Sequence, residues 1–353
     1  MRGSRGAVVL AVTGLLVAAC SAGEPESGTS AARSGAGASA DSAPPADATG
    51  STDSSASPAA RSAAVRAAAP ETVVAFSGDI AGGGPGSASY ANASATGDLV
   101  RQVDPAYVLT GGDNAYPMGT RSDFRTKYTP TWGSFKAITR PAPGNHEYMT
   151  PGAAGYYGYF FDGVATGHRY YAFGAGAGWR VYALNCEVPC GTDSTQVAWL
   201  RRDLADHPDR HYLVTVHRPR YTSGKHLPYH GLNAIWRAVV NAGGDLVLSG
   251  HNHQYERFSK QDASGRWKPS SGLVQFVAGA GGAEMYPFSR TAPRSQARNA
   301  RDFGVLVLQL RPGGYSWEYL GSGRCFRSGR SYDCPAHTGR VLDEGSRTTN
   351  NPG

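Results

Sequence analysis

Five short apolar runs in this chain break off into turns that carry Asp, Asn or His, mostly among glycines. Residues 72–76 lead into Gly78-Asp79, residues 107–109 into Gly111-Gly112-Asp113-Asn114-Ala115-Tyr116, and residues 140–143 into Gly144-Asn145-His146-Glu147. Further on, residues 212–216 lead into His217 and residues 246–248 into Gly250-His251-Asn252-His253. Short apolar runs bounded by turn residues read as buried strands, and others lie at 180–184, 273–277 and 305–310. Helical candidates fall between some of them: residues 196–205, behind Asp193, Ser194 and Thr195 as capping residues, and residues 232–241, ending at Gly243-Gly244. This alternation predicts an α/β protein whose strands form stacked sheets flanked by helices. Ligands of such sheets bind beyond the carboxyl ends of the strands, where glycine allows tight turns that aim short side chains into the crevice. All five polar turns are therefore expected on one face.

The first seventy residues take no part in that fold. Arg2 and Arg5 precede a mostly apolar stretch, residues 7–19, which is too short to cross a bilayer and has the shape of a secretory signal. Val17-Ala18-Ala19-Cys20 resembles the lipobox of bacterial lipoproteins, which implies a leader over residues 1–20 and a lipid anchor on Cys20 at the cell surface. An ordinary signal peptide cleaved near the same small residues, with secretion, is the alternative. Residues 21–70 hold 41 Ala, Gly, Ser, Thr or Pro and no aromatic residue, so they cannot bury enough apolar surface to offset chain entropy and read as a disordered tether. One folded domain over residues 71–322 and a tail over 323–353 remain.

The 34 basic residues exceed the 27 acidic ones by +7, and because the leader carries +2 and the spacer −2, the whole surplus sits on residues 71–353. That charge suits anionic small molecules, whereas no Lys/Arg run or basic helix interleaved with aromatics indicates a nucleic-acid groove. No protein partner is implied. Apart from Cys20, four cysteines stand in two close pairs, Cys186 with Cys190 and Cys325 with Cys334. In an exported chain these read as two local disulfide staples, since neither spacing matches a structural zinc site, though their connectivity stays open.

Taken singly, each polar turn has a bland explanation as a loop or a satisfied histidine. Together they supply two aspartates, a tyrosine, an asparagine and three histidines, a hard oxygen and imidazole set with no thiolate. Gly78-Asp79, Gly112-Asp113-x-x-Tyr116, Gly144-Asn145-His146-Glu147, Val214-x-x-His217 and Gly250-His251-x-His253 resemble the five ordered motifs of calcineurin-like metallophosphoesterases. The tyrosine, and the run from Gly250 to Arg257, are similar to the purple acid phosphatase branch. The resemblance spans residues 72 to about 320. The first motif departs from the family's Gly-Asp-x-Gly by reading Gly78-Asp79-Ile80-Ala81, with Gly82 one place later. Lacking the large amino-terminal domain of the plant enzymes, the chain resembles compact members whose fold is a four-layer α/β/β/α sandwich, a single catalytic domain.

The resemblance implies two metal ions sharing Asp113: Asp79, Tyr116 and His253 complete a site for Fe(III), and Asn145, His217 and His251 complete one for divalent Fe, Zn or Mn. Anionic oxygens stabilise the higher charge, and a neutral amide with neutral imidazoles leaves the other ion divalent. The implied activity is an acid phosphatase-like hydrolysis of small phosphomonoesters by a hydroxide held between the metals. His146 is the implied proton donor to the leaving group, with Glu147 orienting or tuning it. His226 is the second candidate catalytic residue, with His230 competing for that place, and Arg218 and Arg220 either grip phosphate or merely solvate their loop. A phosphodiesterase or nucleotidase on the same site, and a non-catalytic lipid-anchored binding protein, are the alternatives. Globomycin is expected to block processing of the precursor; processing unaffected by it, followed on a gel, would remove the Cys20 anchor.

Overall fold

The structure is a computed structural model describing residues 71–162, 170–323, 325–328, 331–333 and 339–351. The leader, Cys20, the 21–70 spacer and Cys334 lie outside the described residues. Strand β1, Thr72–Ser77, sends alternate side chains to opposite faces, and both faces are apolar: Val74 and Phe76 enter one core cluster, Ala75 another. Strands that are apolar on both sides must be covered on both, and this dictates the layering.

The strands that follow are β2 Tyr107–Gly111, β3 Thr139–Ala142, β4 Tyr171–Gly176, β5 Trp179–Ala183, β6 His211–Thr215, β7 Leu246–Ser249 and β8 Tyr255–Phe258. After them come β9 Val274–Ala278, β10 Ser295–Asn299, β11 Phe303–Arg311, β12 Gly314–Gly323, β13 Phe326–Ser328, β14 Ser331–Asp333 and β15 Arg340–Thr348. One sheet has the order β15-β12-β11-β1-β2-β3 and the other β10-β8-β9-β7-β6-β5-β4, while β13 and β14 pair separately. β1, β2 and β3 run parallel, as do β5, β6, β7 and β9, so the carboxyl ends of the motif-bearing strands gather at one edge of each sheet.

Between the sheets lie Phe76, Leu109, Leu213, Leu248, Phe276, Leu306 and Trp317. Outside the first sheet, Ala75 and Val108 pack with Ala93, Leu99 and Val100 of α1, Ala88–Val103, with Trp132, and with Tyr156 and Tyr157 of α2, Ala154–Phe160. Outside the second, Tyr212 and Val214 pack with Leu200 of α3, Thr195–Asp206, and Trp236 of α4, Asn233–Asn241. The four layers are thus α/β/β/α, as the motifs imply. Ser194 caps α3 by accepting the Val197 N–H at 3.2 Å, in the position the sequence indicates.

Two expectations are corrected. Residues 323–353 are not a tail: β15 pairs antiparallel with β12 and forms the edge of the first sheet. Its alternating, largely exposed sequence lacks the apolar run that marks the other strands. Nor are Cys186 and Cys190 a staple. Both are buried free thiols, Cys186 Sγ accepting the Arg218 N–H at 3.3 Å and Cys190 Sγ facing the Gly231 carbonyl at 3.6 Å. Burial pushes both thiols up, so they stay protonated. Cys325 is disulfide-bonded.

Asp343 of β15 ties the sheets together. Its carboxylate accepts from Tyr255 Oη at 2.6 Å, Arg257 Nε at 2.7 Å and Trp317 Nε1 at 3.1 Å, joining β8 of one sheet to β12 of the other. Burial opposes its ionisation, but the hydrogen bonds from Arg257 and Tyr255 prevail and hold its pKa below the ordinary value. A depressed folded-state pKa contributes stability that is present above the unfolded value of about 4 and lost as the pH falls below it. Asp343→Ala is expected to cost about 3 kcal/mol at neutral pH and to flatten the acid limb of the stability profile, read by denaturant melts from pH 7 to pH 3.

Candidate metal centre

The two sheets can bring their carboxyl-terminal turns into contact because those turns are glycines. A Cβ on Gly144 would lie 2.2 Å from Asp113 Oδ1, and one on Gly112, whose φ is +82°, would lie 2.6 Å from His217 Nδ1. Side chains at either position would displace the groups they adjoin.

All seven expected side chains reach this edge, and their donor atoms fall into two sets. In the first, Tyr116 Oη donates to Asp79 Oδ1 at 2.9 Å, stands 3.2 Å from Asp113 Oδ2 and 3.0 Å from His253 Nε2, which is itself 3.2 Å from Asp79 Oδ1. In the second, His217 Nε2 lies 3.3 Å from Asp113 Oδ2, 3.1 Å from Asn145 Oδ1 and 3.1 Å from His251 Nδ1. Asp113 Oδ2 belongs to both. Neighbouring ligands of a cation with bonds of about 2.1 Å stand roughly 3 Å apart, so each set fits one ion.

The imidazoles are oriented from behind, as metal-binding histidines are. His217 Nδ1 donates to the Gly111 carbonyl at 2.7 Å and His253 Nδ1 to the Glu284 carbonyl at 2.5 Å, which turns each Nε2 toward the site. Against burial, the Asp113 and Asp79 charges raise the pKa values of His217 and His253, and a bound cation would displace those protons. Burial, with His217 beside it, pushes the His251 pKa down to about 2, so this ring is neutral. Asp79 and Asp113 are almost fully buried, and among the described residues their ion pairs run to histidines alone. Burial pushes the Tyr116 phenol well up, and the Asp113 and Asp79 charges add to it, an ordering that a bound cation inverts.

Three of these side chains sit on strained backbone: Asp79 at φ 57°, Asp113 at 49° and His251 at 68°. Left-handed conformations are uncommon outside glycine and concentrate where a side chain must be aimed against local preference. The departure in the first motif leaves Asp79 in place, because buried Ile80 and Ala81 fill apolar space and Ala81 bridges to Ala115.

Glu147 does something other than orient His146. Fully buried, it accepts the N–H groups of Asp113 at 2.9 Å, Asn114 at 2.8 Å and Gly144 at 2.7 Å, stitching the second motif turn to the third. Burial and the Asp113 charge raise its pKa to about 7. His146 instead has Nδ1 on the Pro117 carbonyl at 2.5 Å and its ring 4.3 Å from Tyr116, so Nε2 faces the site 3.8 Å from Asp113 Oδ2. His226 joins the same face, its ring 4.4 Å from that of His251, while His230 is exposed. Arg220 is buried and spent on Asn233 and the Ala263 carbonyl; Arg218 pairs with Glu187 but brings Nη1 within 3.5 Å of His251 Nε2.

Residues 72–255 match the Calcineurin-like phosphoesterase family. The chain belongs to that family. It is 34% identical over 84 residues to tartrate-resistant acid phosphatase type 5 of Oryctolagus cuniculus, 24% of this chain and 25% of that protein, so it spans about a quarter of the length of the curated relative it matches. Among solved structures it is similar to GAP50, the anchor in the inner membrane complex of Plasmodium, with a TM-score of 0.57 at 13% identity over 79% of this chain and 89% of that one. Purple acid phosphatase PPD1 of yellow lupin gives 0.56 at 18% identity over 79% and 54%. At these identities the likeness concerns the fold alone.

One residue at this site carries no motif signal. Tyr286 stacks on His253 at 4.5 Å and reaches His226 Nε2 with its hydroxyl at 3.2 Å. It follows Gly279-Ala280-Gly281-Gly282, a glycine turn after β9 of the same kind as the others but with no polar residue to mark it. Replacing Glu147 with Gln sets an amide NH2 against backbone N–H donors; it is expected to cost on the order of 3 kcal/mol and to lower metal content, read by thermal melting and elemental analysis. A variant with wild-type melting and metal content would show that the turns are held by other means.

Proposed function

We propose that this chain is an exported phosphomonoesterase of purple acid phosphatase type with two metal ions, and one observation carries the reading: Asp113 Oδ2 lies at the junction of two complete ligand sets. Asp79, Tyr116 and His253 would hold Fe(III), and Asn145, His217 and His251 a divalent Fe, Zn or Mn. Bound there, the cations supply Lewis acidity toward the phosphoryl oxygens and acidify water. The chain's own groups do the rest. His146 Nε2, with Nδ1 fixed on a carbonyl, is placed to give a proton to the leaving oxygen. Burial, with His253 nearby, lowers the His226 pKa, so His226 contributes a neutral ring beside His251.

The rabbit relative, named as an acid phosphatase, supports the substrate class. Export and lipid attachment at Cys20 rest on the leader and the lipobox-like sequence. Among the described residues no helix is long and apolar enough to cross a membrane.

Purified protein is expected to contain two metals per chain, to show the visible charge-transfer band of tyrosinate on Fe(III), and to hydrolyse para-nitrophenyl phosphate faster than its bis ester. A faster bis ester moves the assignment to a phosphodiesterase; two metals with no turnover moves it to a binding protein. His146→Ala should lower kcat on an alkyl phosphate by about 100-fold, and far less on para-nitrophenyl phosphate, whose leaving group departs without a proton.

A further inference from the structure

A cleft of about 1290 Å³ opens beside the metal centre, lined in part by Tyr286, Phe288, Arg290, Arg298, Asn299 and Arg301. Tyr286 is the wall common to both: its ring stacks on His253, and its hydroxyl donates to the His251 carbonyl at 3.2 Å. The charge of the cleft is of one sign. No Asp or Glu lines it, and among the described residues none of its three arginines is in an ion pair. Arg290 is anchored on the carbonyls of Thr222 and His226, each at 3.2 Å, while Arg298 donates to the Thr291 hydroxyl at 2.5 Å and lies 5.6 Å over Phe288. Lys225 adds an ammonium 5.3 Å from the Tyr286 ring.

Uncompensated guanidinium forks suit phosphate oxygens in geometry as well as charge. We propose that this cleft is a second anion subsite, receiving a negatively charged group on the leaving side of a phosphate ester, as in a nucleoside diphosphate. The inference rests on the phosphoesterase reading and narrows its substrate class. The subsite acts on binding: it fixes the charged leaving portion while the terminal phosphoryl group occupies the metal centre.

Steady-state kinetics of metal-loaded wild type and R298A/R301A with adenosine diphosphate, adenosine monophosphate and para-nitrophenyl phosphate test it. Both arginines are exposed and touch neither ligand set. The double variant should lose about tenfold or more in kcat/KM on the diphosphate and stay within about twofold on the other two. Equal losses on all three, or no loss on the diphosphate, overturn the subsite. If wild type turns over none of them, the phosphoesterase reading fails separately. Calorimetric titration with adenosine diphosphate then decides the cleft: about tenfold weaker binding by the variant supports the subsite, and equal Kd overturns it.

Discussion

Beside the metal centre the two sheets meet backbone to backbone, and the site depends on that contact. A Cβ on Gly78 would stand 3.2 Å from both the Gly111 carbonyl carbon and Gly250 Cα, and a Cβ on Gly250 would meet Asp79 Oδ2 at 2.5 Å. Three strand ends, two from one sheet and one from the other, therefore pack with no side chains between them. Only that proximity lets Asp79 receive the His251 N–H at 2.7 Å and lets His217 reach the Gly111 carbonyl from the opposite sheet. Widening the junction by one methyl group would part ligands whose spacing is that of a single coordination sphere.

That same feature made much of the molecule legible in the sequence. Glycine followed by Asp, Asn or His at the end of an apolar run combines a backbone requirement with a chemical one; Asp79, Asp113, Asn145 and His251 share it, while Tyr116 and His253 follow in the same turns and His217 ends its run directly. What was not legible lacks one half of the combination. Tyr286 follows glycines but stands clear of any polar turn, and Glu147 has the right chemistry while its partners are backbone N–H groups, which leave no trace in sequence. β15 escaped because an exposed edge strand has no apolar run, and its anchor, Asp343, is a surface-type residue held by Tyr255, Arg257 and Trp317. The cysteine spacing misled for a similar reason: nearness in sequence does not orient two thiols, and Cys186 and Cys190 each find other partners.

Stability and chemistry are separated along the axis of the strands. The three apolar clusters fill the spaces between layers, whereas the left-handed residues Asp79, Asp113 and His251 lie past the strand ends. Each such conformation costs on the order of 1–3 kcal/mol, and persists only where its surroundings over-determine it. Here the surroundings are identifiable: Glu147 takes the Asp113 N–H, Asp113 Oδ1 takes the His146 N–H at 2.9 Å, and Asp79 Oδ2 takes the His251 N–H. These bonds hold each carboxylate by one oxygen or by its backbone, and leave the other oxygen, Asp79 Oδ1 or Asp113 Oδ2, directed at the donor sets.

Charge completes the picture. Ligand sets rich in carboxylate and phenol call for cations, and once these are present the floor of the site is neutral or positive. Its rim is positive as well, since the adjoining cleft displays three arginines and no carboxylate lines it. An anion approaching the centre therefore meets favourable potential both at the metals and beside them. The rim's contribution is screened by salt over about 8–10 Å, whereas the buried donor sets are screened far less. Ionic strength should thus act on capture of an extended anion more than on the chemistry at Asp113, a division that follows from burial.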